Sequence, residues 1–183
     1  MKQIIFTVGL LISLSCYSQT ERRAVEVTPE LQKKIKADIE KQIPQFKKQL
    51  EKDKLNQVQS EFEIDTFRIE RFMGKWIDLD FTDAGMSDGT YAGAKLYDSL
   101  LNKYYKKLLA VLKPEDKKIL VQAQKSWMSF RDSEYKLVET ISKDEYSGGG
   151  TMQQLTESGI YLSMVKNRTI DIFSHYTRAT KSD

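Results

Sequence analysis

Cysteine and histidine are almost missing from this chain, with one of each, Cys16 and His175, in 183 residues. No cysteine/histidine dyad can be built after export, and a serine triad would have to recruit His175, close to the C-terminus. Zinc sites draw on several thiolates and imidazoles, so no metal and no cofactor is expected. A single cysteine forms no intrachain disulfide, and the fold must stand on apolar burial alone. Only three prolines interrupt the chain, which leaves room for long helices. Past the first 18 residues no apolar run approaches the length that spans a bilayer. Nor does one sign of charge dominate. The 29 Lys and Arg face 26 Asp and Glu, and without Lys2 the balance is closer still, which argues against nucleic acid or polybasic membrane binding.

What is present begins with a secretory leader, residues 1–18: Lys2, the apolar stretch Ile4 to Leu14, then Ser15-Cys16-Tyr17-Ser18. Two processing routes are open. Cleavage after Ser18 frees a periplasmic or secreted protein starting at Gln19; cleavage before Cys16 makes an envelope lipoprotein anchored through that cysteine.

The remaining chain reads as helical. Thr28-Pro29-Glu30 is a helix start, with apolar residues from Leu31 to Leu50 at spacings of three or four and a break expected at Pro44. This charged arm is expected to lie on the main domain, pair with another copy or dock a partner. Phe62-Glu63-Ile64-Asp65 alternates like a short strand, followed by a helix from about Asp65 to Ile77. Asp78 to Gly89 reads as an acidic loop or helix cap without the glycine and closing glutamate of a calcium loop. Three strong helices are expected at about 90–112, 114–142 and 152–176, the last two joined by a loop with Gly148-Gly149-Gly150. That loop lacks the Lys-Ser/Thr of a phosphate loop and follows no strand. With no repeat and no strand–helix alternation, the fold class is all-α: an antiparallel bundle of three main helices plus one or two N-terminal helices.

In the middle helix Leu120, Ala123, Trp127, Phe130, Leu137 and Ile141 recur at helical spacing, so this face is expected to be buried. Arg131, Asp132 and Glu134 stand beside or on that stripe, and Arg131 is expected to bridge helices to a carboxylate or Asn102. Asp132 and Glu134 are only two apart and point to different faces, a poor basis for a glycosidase.

Ala123-Gln124, Trp127 and Arg131-Asp132 spell AQxxWxxxRD, and Asp98, Leu101, Asn102 and Tyr105 spell DxxLNxxY; a Gly-Gly-Gly-Thr loop and Arg168-Thr169 follow. In these motifs residues 83–176 resemble the lysozyme inhibitor LprI-like N-terminal domain family. The chain departs from it by carrying Gly89, Tyr135 and Ile160 where many members have cysteines, so Tyr135 and Ile160 are expected to replace a cross-link by an apolar contact. The resemblance divides the mature chain into a charged helical extension, 19–80, an LprI-like domain, 81–178, and a tail, 179–183.

What the resemblance implies is an exported, non-catalytic binding protein whose partner is a lysozyme. The loops 78–89 and 143–151 are the candidates for insertion, with Asp80, Asp83, Asp144, Glu145 and Tyr146 as contacts. The alternative is a structural or assembly module of the envelope acting through the N-terminal arm.

Overall fold

In the computed structural model, which describes residues 22–180, seven helices follow one another and no strand occurs among the described residues. The leader and Cys16 lie outside the described residues. Helix α1 (Pro29–Glu40) starts where the Thr28 hydroxyl accepts the Leu31 N–H and proline occupies the first turn. The chain breaks at Lys41-Gln42, and α2 (Ile43–Lys52) resumes with Pro44 in its own first turn. The arm folds onto its own chain: Ile35 and Ile39 pack with Phe72, while Ile43 and Leu50 pack with Ile64.

Helix α3 (Gln57–Leu79) is a single element opened by a capping box between Asn56 and Gln59. The strand expected at Phe62–Asp65 is therefore corrected. Phe62 and Ile64 alternate because α3 is covered on two sides: Phe62 faces Phe173 and Tyr104, Ile64 faces α2.

Helix α4 (Asp83–Val111) begins two turns earlier than its pattern suggests, capped by the Thr82 hydroxyl on Gly85 N–H. Gly85 and Gly89 look like turn formers, but they and Gly93 are spacers. A Cβ on Gly89 would meet the Trp76 ring at 3.0 Å, and one on Gly93 would meet the Met73 sulfur at 2.7 Å. They let α3 lie close along α4.

Helix α5 (Pro114–Ile141) returns antiparallel, and after the short α6 (Asp144–Ser147) helix α7 (Thr151–Ala179) runs alongside α4. Small buried residues, Ser87, Thr90 and Ala94 on α4 and Ser158 and Thr169 on α7, bring these two together. The Thr169 hydroxyl reaches the carbonyls of Val165 (2.8 Å) and Tyr97 (3.2 Å), so its burial leaves no polar group unmet. The main core joins α3, α4 and α7 through Phe62, Ile69, Tyr97, Leu101, Tyr104, Leu108, Val165 and Ile172.

One polar atom in this core is unmet. The Tyr104 hydroxyl is buried without a hydrogen-bond partner, among Phe62, Phe173 and Tyr176. Removing it in Tyr104→Phe is expected to stabilise the fold by about 1 kcal/mol, read as a higher urea midpoint; a lower midpoint would show that the hydroxyl is satisfied.

The stripe expected to be buried on α5 divides. Leu120 is buried and Trp127 packs against the core, but Phe130, Leu137 and Ile141 are 57%, 53% and 51% exposed and Ala123 is exposed too. The face α5 turns to α7 runs instead through Leu120, Gln124, Trp127, Arg131, Tyr135 and Val138. The two faces lie about a quarter-turn apart on the helix, which is why one apolar count merged them.

Candidate functional site

The two loops singled out as contact candidates meet at one end of the bundle. The Thr151 hydroxyl, at the start of α7, donates to the Asp83 carboxylate at the start of α4, and the Ser87 hydroxyl donates to the Gln154 carbonyl (3.3 Å). Asp144, Glu145 and Tyr146 form most of α6, and Gly148, Gly149 and Gly150 lead from there into Thr151. All three glycines have positive φ (76°, 64° and 91°), the left-handed region open to glycine at no steric cost. At Gly149 a side chain would also collide with the Asp144 carboxylate.

Asp80 is held too: its Oδ1 accepts from the Thr82 hydroxyl at 2.7 Å. Both Asp80 and Asp83 therefore order the start of α4, where the N–H groups and helix dipole favour negative charge. Asp144 and Glu145 open α6 and are exposed. Around these acids stand apolar side chains open to solvent, with Tyr146 62%, Met152 59% and Phe81 40% exposed. Among the described residues no cluster of three or more His, Cys, Asp or Glu is arranged to hold a metal ion.

The motif residues assemble elsewhere, between α5 and α7. The Arg168 Nε–H donates to Gln124 at 3.1 Å, and the guanidiniums of Arg131 and Arg168 lie 5.3 and 5.8 Å from the Trp127 ring centre. Burial holds the Arg168 guanidinium below its usual pKa, with Asp171 opposing. The bridge expected of Arg131 is made by Arg168 instead. Arg131 hydrogen-bonds its neighbour Asp132, at 2.8 and 2.6 Å, and Asn102 is turned to Asp98 on its own helix. Leu101 is buried and Tyr105 packs on the core, whereas Ala123 is exposed. Tyr135 finds polar and aromatic partners on α4 and α7. Its hydroxyl hydrogen-bonds that of Tyr91 (2.7 Å) and its ring meets Tyr161.

A family model described as lysozyme inhibitor LprI matches residues 80–171. The chain belongs to the LprI family. The matched residues cover α4, α5, α6 and most of α7 of this LprI-family protein, and both the acidic end and the Trp127 stack fall inside them. A search of curated proteins and one of solved structures each gave no match. Among the described residues no helix is long and apolar enough to cross a membrane.

Joining the N-terminal helices to the matched segment, this LprI-family chain carries a charge network that the sequence reading missed. Lys103 binds Glu61 (2.7 Å) and Asp65 (2.5 Å), Lys107 binds Glu61 (2.7 Å), and Arg68 grips Glu40 with two bonds, at 2.7 and 2.9 Å. Hydrogen bonds from Lys103 and Lys107 hold the Glu61 carboxyl below its ordinary pKa. The available signal was two matching pairs four apart, Glu61/Asp65 and Lys103/Lys107, on helices that prove to be neighbours. Nearer the core, Glu70 accepts from Tyr97 (2.5 Å) and Lys166 (2.6 Å), linking α3, α4 and α7. Burial raises the Glu70 pKa, but these two donors outweigh it and keep the carboxyl ionised below its usual value.

The network walls a groove of about 410 Å³ between α1, α3 and α4, floored by Ile39, Ile69, Phe72 and Leu100. Its Arg68, Lys103, Glu40 and Asp65 pair with one another, while Lys36, which also lines the groove, stands over the Phe72 ring at 4.9 Å.

Proposed function

We propose that this protein is exported and acts without catalysis, as an inhibitor that seats its acidic end against a lysozyme. Family membership supports an inhibitor. The observation that carries the reading further is the junction of the two loops through Thr151 and Asp83, which gathers Asp80, Asp83, Asp144, Glu145 and Tyr146 at one end. The chain as a whole is nearly balanced in charge. A local acidic face therefore steers a basic muramidase to one end of the molecule, which overall charge would not do.

Two features fit a binder better than an enzyme. His175 is exposed on α7, remote in sequence from the candidate loops. The acids at the candidate end are engaged in capping or open to water, with no desolvated carboxylate pair between them.

Purified protein mixed with an animal-type and a bacterial muramidase should suppress lysis of cell walls at near-stoichiometric amounts. Asp144→Lys combined with Glu145→Lys should weaken that inhibition about tenfold or more, mostly through slower association that high salt mimics. Full inhibition by the charge-reversed protein would remove the acidic end from the interface, and no inhibition by the native protein would remove the lysozyme.

A further inference from the structure

The groove between α1, α3 and α4 has no part in the inhibitor reading. Helices α1 and α4 both pack on α3, and the space of about 410 Å³ left between them is of the size of a small-molecule site. It runs from Asp65 to Phe72 on α3 and from Leu96 to Lys103 on α4, two helical turns or about 10 Å. Arg68, Asp65 and Lys103 stand at one end, joined by ion pairs. Lys36 and Phe72 stand at the other, and Ile39, Ile69, Leu96 and Leu100 line the stretch between them. A helix with its side chains is itself about 10–12 Å across, so a space of this length admits a small molecule and not a partner's helix.

Charge says what kind of molecule. Around the groove Glu40, Asp65 and Glu61 face Arg68, Lys103 and Lys107, three against three. Glu40, one turn beyond Lys36 on α1, gives both its oxygens to Arg68. Lys36 is left over. Among the described residues its ammonium makes no ion pair; it has the Phe72 ring on one side and, being exposed, water on the other. An apolar trough with one surplus positive charge at its mouth is complementary to an apolar body that carries a single negative head. A second negative charge would meet Glu40 with no cation left to answer it, and a cationic head would be repelled by Lys36. We infer that the groove binds an acyl carboxylate of medium length, its chain along Ile39, Ile69, Leu96 and Leu100 and its carboxylate on the Lys36 ammonium. The chain displaces water from the apolar side chains, and the carboxylate accepts a charge-assisted hydrogen bond from Lys36 Nζ. The Arg68–Asp65–Lys103 bridge closes the far end and limits how long a chain can enter. This site uses none of the acidic residues at the candidate end and stands apart from the inhibitor reading.

Decanoate, kept below its micelle concentration, is titrated into the purified protein with labelled methyl groups and followed by NMR. The methyl signals of Ile39, Ile69, Leu96 and Leu100 should shift together and saturate. Decanol, the same chain without the charge, should bind about fivefold more weakly, and decyltrimethylammonium more weakly still. Lys36→Gln should weaken decanoate about fivefold and leave decanol unchanged, with helical content as in the native protein because Lys36 is exposed. Ser99→Trp, also at an exposed position on the groove wall, should fill the space and abolish binding of both while thermal unfolding stays as sharp. Absence of a saturable shift, shifts confined to the exposed apolar residues of α5, decanol binding as tightly as decanoate, decyl phosphate binding more tightly than decanoate, or indifference of decanoate to Lys36→Gln would each overturn the inference.

Discussion

Replacing Phe62 by alanine is expected to cost about 3–5 kcal/mol, a large share of the stability of an ordinary domain. Phe62 lies on α3, outside the segment that matches the family, yet it sits at the centre of the core. Its ring stacks on Phe173 of α7 with centroids 3.8 Å apart and meets Tyr104 of α4 edge-on at 5.3 Å. Truncation loses the transfer energy of the ring and leaves a void between three helices whose backbones are tied at other levels, at Glu70 and at Gly93. The void therefore cannot close by simple collapse. Urea unfolding followed by circular dichroism measures the loss; a cost below about 1 kcal/mol would mean that α3 is not part of the core.

A chain cut to residues 80–183 is expected to lose cooperative unfolding altogether. The cut removes Phe62, Ile69, Phe72 and the whole N-terminal arm, and uncovers Tyr97, Leu100, Leu101 and Tyr104 on α4. It also strips Lys103, Lys107 and Lys166 of Glu61, Asp65 and Glu70. What remains has helices able to form but too little apolar surface to bury, the condition that gives a compact state without fixed side-chain packing. Near-ultraviolet circular dichroism should vanish while much far-ultraviolet signal persists. A sharp thermal transition close to that of the full chain would falsify the idea. Loss of cooperativity would mean that the division expected at residue 80 marks where family resemblance begins and is no folding boundary.

How far the sequence could be read depended on how many partners each helix has. The line Tyr97, Leu101, Tyr104 and Leu108 on α4 was plain, because one face of that helix meets one continuous core. The start of α1 was plain too, since Thr28 and Pro29 act locally. Readings failed where a residue serves a neighbour that sequence does not reveal. Gly85 and Gly89 signal a turn in isolation, and only the arrival of Asp80 and Trp76 explains why they stand inside a helix. Phe62 and Ile64 imitate a strand because α3 is covered from two directions. On α5, Phe130 and Leu137 have the spacing of a core and are exposed, which distinguishes apolar periodicity from burial within one chain. At the candidate end the acidic loops were legible as residue types. Their meeting was not, because the Thr151–Asp83 bond joins positions 68 apart in the chain.

The glycines at 85, 89 and 93 carry one more consequence, for the order in which the molecule opens and closes. Each weakens the first half of α4 as an isolated helix by roughly 0.5–1 kcal/mol relative to alanine, so this stretch depends on α3 lying against it. Asp83 and the Thr151 contact are rooted in the same stretch. The acidic end of the bundle thus holds the least self-sufficient part of α4. It is expected to exchange its amide protons before the Tyr97–Leu108 half does, which hydrogen exchange would measure.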